Sequence, residues 1–315
     1  MQTRRLGHLW PVSALTIGGG GIGQVWGSTT RDESVATLRE AVDAGISLID
    51  VAPTYGDGEA ERVVGEAFHG QLPEGVRVLT KYEVGDTNGS EVAARLERSL
   101  DESLERMRLD FVDLFVLHGS IVPTIEEGGV IYTPLQLYRD AVRPAYERLV
   151  KAGRIGAWGT TAVEVPTAVL EALADDPAPA VVQAITNFLD SPGDMKFSTE
   201  PARPRDIIAA AAGRGAGVMG IRVVQAGALT DRIDRELADD HPAMVDYRRA
   251  APFRELAAEL GESPASLAHR YALSMDNVDT VVLGVKNRTE LTECLQAADR
   301  GPLPPDVMQQ LESLA

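Results

Sequence analysis

From residue 31 onward, short apolar runs alternate with longer segments in which apolar residues recur three and four positions apart. The short runs read as strands buried on both faces and the longer segments as amphipathic helices, the pattern of a parallel sheet with helical crossovers. The predicted strands are Ala14–Gly18, Ile46–Asp50, Val76–Lys81, Val112–His118, Ile155–Gly159, Ala180–Ile185, Gly217–Arg222 and Thr280–Gly284. Helices are expected between them, among others over Asp32–Ala44, Ser90–Met107, Leu135–Ala152, Asp206–Ala212 and Pro264–Leu273, the last with Ser263 as cap and proline in its first turn. Eight strand–helix units in 315 residues favour a (β/α)8 TIM barrel over a doubly wound sheet, as one domain over residues 1–315. Two connections are long enough to suggest function: about 119–134, mostly apolar and expected as a pocket wall, and about 223–263, charged in its middle.

In such a barrel the chemistry collects where the C-terminal strand ends meet. Three successive predicted strands end on Asp50, Lys81 and His118, and Tyr55 follows Asp50 on the turn Pro53-Thr-Tyr-Gly-Asp-Gly58. Buried polar groups at those positions need partners. Asp50 and Lys81 on neighbouring strands are expected to pair, with Tyr55 leaning over the lysine. An ammonium stabilises a phenolate, so Lys81 is expected to lower the Tyr55 pKa, and His118 to hydrogen-bond a substrate carbonyl oxygen. Singly, each residue has a structural explanation as cap, snorkelling cation or packed ring. Four in this order on successive strand ends point instead to a proton donor set for carbonyl reduction.

Composition narrows the partners. A formal net charge of −17 disfavours nucleic-acid phosphates and anionic membranes and points to a small-molecule partner, which the proton donor set would make a carbonyl or alcohol. The single cysteine, Cys294, rules out a disulfide framework, and no histidine pair has metal-ligand spacing with a carboxylate. No signal-like or membrane-spanning run occurs, so a cytoplasmic location is expected; oligomeric state is left open.

The run Asp50-Val-Ala-Pro-Thr-Tyr55-Gly56 with Gly58 and Glu61, then Leu79-Thr-Lys81 and Leu117-His118, resembles the aldo-keto reductase family in order and approximate spacing. The resemblance spans essentially the whole chain, with Arg4–Gly7 and Leu15–Gly20 similar to that family's barrel-plugging hairpin and first strand. It implies an NADP(H)-using barrel enzyme in which Asp50, Tyr55, Lys81 and His118 form the catalytic tetrad, with tyrosine as general acid.

The same resemblance assigns the cofactor half. Gly18–Gly23 is not a dinucleotide fingerprint; Gly23 and its neighbours are implied to allow close backbone approach around nicotinamide or substrate, with Trp26 as pocket wall. Thr161 stands for the family's serine and Ala162 for its asparagine at the nicotinamide amide, which Gln183 is implied to grip. Ile221 or Arg222 falls where relatives place an aromatic ring. Gly284 begins the adenosine-phosphate element, with Lys286 at the 2′-phosphate, Arg288 close by, a helix starting at about Thr289, and Glu293 near adenine. NADP(H) is thus favoured over NAD(H), against Glu290, whose charge would repel a 2′-phosphate. Trp26, Tyr82 and Tyr132 are the expected substrate contacts, whereas Trp158 is expected to pack. Two other classes remain in view: a Schiff-base aldolase, disfavoured because Asp50 would raise rather than lower the Lys81 pKa, and an NADPH-binding regulatory sensor with slow turnover.

Overall fold

The computed structural model describes residues 1–85, 87–124 and 132–314. The chain opens with an antiparallel hairpin, β1 (Thr3–Arg5) and β2 (Pro11–Ser13). Four barrel strands follow: β3 (Leu15–Gly18), β4 (Leu48–Asp50), β5 (Arg77–Tyr82) and β6 (Val112–Leu117). Two short strands lie outside the barrel, β7 (Ser120–Val122) and β8 (Tyr132–Pro134), paired with each other. Then come β9 (Ile155–Ala162), β10 (Val181–Ile185), β11 (Gly217–Ile221) and β12 (Thr280–Leu283). The eight parallel barrel strands pair in chain order, and β12 closes on β3 through Val281 opposite Leu15. Each predicted strand overlaps one of them.

The two-residue period of a strand sorts the side chains. On β4, β5, β6, β10 and β11, Leu48, Leu79, Leu114, Val116, Val181 and Met219 face inward, and Leu6 and Val12 of the hairpin pack on them, closing the barrel floor. The intervening residues, such as Ile49, Val78, Phe115, Leu117, Val182 and Val218, face the surrounding helices. The hairpin seats closely because Gly7, at φ +50°, lies against β11: a Cβ there would be 2.3 Å from Gly217 N.

Helices Arg31–Asp43, Val92–Met107, Pro204–Gly213 and Pro264–Ser274 fall where the periodicity puts them. The hydroxyl of Ser263 accepts from Ser266 N, as its cap position predicts. The helical stretch from Leu135 to Lys151 carries a π-helical turn over Tyr138–Val142, two residues before Pro144, whose missing N–H interrupts the regular ladder. Residues 223–263 are not one long loop. They hold a short 3-10 turn and two helices, Pro242–Arg249 and Ala251–Glu259, whose few turns give little room for a periodic signal. Part of the apolar loop after His118, residues 125–131, lies outside the described residues; Ile121 and Val122, earlier in the loop, are buried. Among the described residues, no helix is long and apolar enough to cross a membrane.

Candidate active site

Asp50 and Lys81 lie on the inward parity of β4 and β5, above Leu48 and Leu79. Asp50 is in register with Leu79, so Lys81 sits two residues higher on its strand, and its side chain reaches back to the carboxylate. The side chains are 1% and 3% exposed, so this ion pair is wholly inside the barrel mouth. Lys81 Nζ also donates to Val51 O at 3.0 Å and to Tyr55 Oη at 3.2 Å, and lies 4.5 Å from the Tyr55 ring centroid. The amide of Gln183, on the inward face of β10, donates to the other carboxylate oxygen of Asp50. The lysine thus has three oxygen partners, and the aspartate is shared between two donors.

The turn that delivers Tyr55 is built by glycine. Gly56, Asp57 and Gly58 have positive φ in succession, and a Cβ on Gly56 would be 2.1 Å from Gly23 O. Glu61, fully buried on the next helix, accepts from Thr80 Oγ1 at 2.5 Å and Arg106 Nε at 2.6 Å, and so fastens the tyrosine-bearing segment to the residue beside Lys81.

Burial raises the Tyr55 pKa; Lys81 opposes this without cancelling it. The lowering expected of Lys81 is present, but desolvation of a phenolate outweighs one ammonium already shared with Asp50, so the pKa ends above its ordinary value. For Lys81, burial works against the charged form, but Asp50 and Tyr55 prevail and its pKa is raised. Its ammonium is charged, which removes the condition a Schiff-base lysine needs.

His118 follows β6 and meets Tyr55 edge to face, with ring centroids 5.6 Å apart. Its Nδ1 lies 3.0 Å from Glu83 Oε1 and 3.4 Å from Thr54 Oγ1. Burial lowers its pKa, with Glu83 opposing and Lys81 assisting. Neither Glu83 nor Thr54 figured in the sequence reading. The signal was present: Glu83 is two residues beyond Lys81, on the same strand parity.

The structure thus gathers Asp50, Tyr55, Lys81 and His118, with Gln183 added from β10. The remaining expected residues divide. Thr161 faces inward, but its hydroxyl donates to Gly119 O at 2.6 Å and accepts from Gly119 N at 2.9 Å, tying β9 to the turn after β6. Gly23 packs under the Tyr55 turn, so the close approach it permits is to the chain's own backbone. Arg222, at φ +57°, is turned into a polar network, 2.6 Å from Asp194 and 2.9 Å from Gln225 Oε1, rather than presented as a flat wall. Tyr82 has the parity opposite to Lys81 and is buried in the helix-facing core, away from the mouth. Tyr132 packs on Phe197, with ring centroids 4.0 Å apart. Trp26 is 52% exposed, its indole against Gly20 and near Gly284. Trp158 stacks on Tyr146 in the outer layer, as expected.

At the far end of the mouth, Asn287 caps helix Arg288–Asp299, one residue earlier than expected. Lys286 Nζ is 3.2 Å from Asp234 and 3.3 Å from Glu290, and Arg288 is paired with Glu33 at 2.9 Å. Glu290 also accepts from Lys286 N at 2.8 Å, so the acid that the sequence set against a phosphate does turn toward the lysine. Glu293 is exposed on this helix and Cys294 is buried, its thiol pKa pushed up to about 12 by burial. Two cations beside a helix N-terminus suit an anionic group, provided it displaces these carboxylates.

The structure is thus a closed parallel barrel with a buried Asp–Lys–Tyr cluster at its C-terminal mouth. The sequence profile of the aldo/keto reductase family matches residues 14–315, and the chain belongs to that family. It is 26% identical to L-galactose dehydrogenase of Arabidopsis thaliana over 304 residues, covering 94% of this chain and 88% of that one. Among solved structures, the glycerol dehydrogenase of Gluconobacter oxydans superposes with a TM-score of 0.73 at 23% identity, covering 99% of this chain and 94% of that one. An aldo-keto reductase from Klebsiella pneumoniae in complex with NADPH gives 0.68 at 23% identity, with the same coverage. These superpositions show the fold.

Proposed function

We propose that the protein interconverts a small aldehyde or ketone and its alcohol with NADP(H), Tyr55 acting as general acid in reduction and general base in oxidation. The observation that carries this reading is the position of Lys81 Nζ, charged, buried and within 3.2 Å of the Tyr55 hydroxyl. The NADPH complex of a structural relative supports the choice of cofactor. Lys286 and Arg288 would hold its 2′-phosphate, and Gln183 its amide; when bound, its nicotinamide would supply hydride for reduction or accept it in oxidation.

The chain's own residues supply the proton chemistry. In reduction, Tyr55 Oη gives its proton to the carbonyl oxygen as that oxygen becomes an alkoxide, and the phenolate left behind faces the Lys81 ammonium. Asp50 keeps that ammonium charged and fixed. His118 orients the substrate oxygen through a hydrogen bond whose direction its own protonation state sets. The raised Tyr55 pKa keeps the phenol protonated through neutral pH, so the proton is in place for reduction. NADPH consumption over a panel of aldehydes, ketones and lactones, repeated with alcohols and NADP⁺, tests the reading. Substrate-selective turnover supports it; tight NADPH binding with uniformly slow turnover would favour a sensor instead.

A further inference from the structure

Glu83 is an acid at the mouth to which the tetrad assigns no role. Strand parity turns Lys81 inward, Tyr82 outward and Glu83 inward again, and His118 N donates to Tyr82 O at 2.8 Å, so the backbone sets Glu83 beside the imidazole. The contact is 3.0 Å from Oε1 to Nδ1, and the Thr54 hydroxyl bonds both the carboxylate and the ring. An ionised carboxylate only accepts hydrogen bonds, so Nδ1 must carry the proton. In a neutral ring, Nε2 is then a bare acceptor. It can receive a hydrogen bond from an alcohol O–H but has none to give a carbonyl oxygen. Only the imidazolium donates from Nε2.

Resting on the carbonyl–alcohol reading above, we propose that Glu83 is a positioning residue: it locks His118 in the Nδ1–H tautomer and stabilises its protonated form, so that His118 accepts from alcohol when neutral and donates to carbonyl when protonated. The charged and titratable groups facing His118 are Glu83 and Lys81 from β5 and its continuation, Asp50 from β4, and Tyr55 from the turn after it. Burial and Lys81 disfavour the imidazolium, while Glu83 and Asp50 favour it. Glu83 itself stays ionised: burial raises its pKa, but His118, Thr54 and Lys81 together outweigh that and leave it lowered. Removing its charge therefore lowers the His118 pKa, and the window in which a carbonyl meets a donor moves to lower pH.

The test is a pH titration of protein labelled with 15N-histidine, read by NMR, with His118→Asn identifying the resonance among five histidines. The expected result is an Nδ1–H tautomer at alkaline pH. In Glu83→Gln that tautomer should persist, because the amide oxygen still accepts, while the titration moves to lower pH. In Glu83→Ala the tautomer preference should be lost, and kcat/KM should fall by about 10- to 100-fold, the range spanned by an orienting hydrogen bond to a charged group, at unchanged NADPH affinity. An Nε2–H tautomer in the parent, or a titration unmoved in Glu83→Gln, would overturn the proposal. The spectra need no substrate, so they judge Glu83 separately from the carbonyl–alcohol reading, which stands or falls on turnover by the unaltered protein.

Discussion

Lys81→Met separates the two jobs of the buried lysine. Methionine nearly fills the same volume, so little cavity forms, but Asp50 loses its ammonium while remaining almost fully buried, with Gln183 as its remaining side-chain donor. Breaking a buried pair from one side costs about 3–5 kcal/mol, because the surviving charge is uncompensated or must take up a proton. At about 2.1 cal/mol/K per residue over 315 residues, that loss lowers the Tm by about 5–8 °C. Asp50→Asn with Lys81→Met removes both charges and should recover more than half of the lost stability, since an amide beside a thioether carries no stranded ion. Carbonyl reduction should not recover. Tyr55 would still lack the cation that faces its phenolate, and a loss of about 10²–10⁴-fold, the usual worth of acid–base assistance, should persist in both variants. Thermal unfolding by circular dichroism and NADPH-linked turnover are read on the same samples. A single variant as stable as the parent would refute the argument for the ion pair; a double variant reducing its carbonyl at the parental rate would refute the role given to Lys81.

Tyr55→Phe should lose about 10²–10⁴-fold in reduction with NADPH affinity unchanged, since only the acid is removed, and parental turnover would exclude Tyr55 as proton donor. The raised Tyr55 pKa gives the alkaline limb a sign: apart from the His118 titration at lower pH, loss of the Tyr55 acid should cut reduction only above the ordinary phenol range, and oxidation should climb toward that range, as stopped-flow profiles would show. Lys286→Ala should erode a preference for NADPH over NADH, whereas Glu290→Gln, which removes a carboxylate from the same lysine, should strengthen it; fluorescence titrations giving equal affinities for both nucleotides in the parent would contradict the assignment. Gly7→Ala should cost more than about 2 kcal/mol in urea unfolding, because it combines left-handed backbone with a Cβ 2.3 Å from Gly217 N, and a neutral result would mean that the hairpin does not seat as described.

Much of this site was legible along the chain because strand parity is local. Asp50, Lys81 and His118 ended apolar runs, and an inward-facing polar group at a strand end has to find partners at the barrel mouth. Glu83 was equally legible by parity, yet it reads as an ordinary charge after a strand until His118 is brought against it. Tyr82 shows the converse: an aromatic beside the key lysine invites a substrate role, but the two-residue period turns it into the helical layer. Residues 223–263 were misjudged because short helices give little periodicity.

The sequence by itself determined the eight strands, the closed barrel they imply, and the residue types at three successive strand ends, since these depend on periodicities of two and 3.6 residues. Only the tertiary structure decided how charge is apportioned. Whether the Tyr55 pKa ends above or below its ordinary value depends on how much water the phenol keeps and on what else shares the ammonium that lowers it, and burial together with Asp50 set that balance. Likewise Gln183, 133 residues from Asp50 in the chain, joins its carboxylate only because closure of the barrel sets β10 across from β4. Electrostatic energies follow distance and solvation in space, and neither is written in the order of residues.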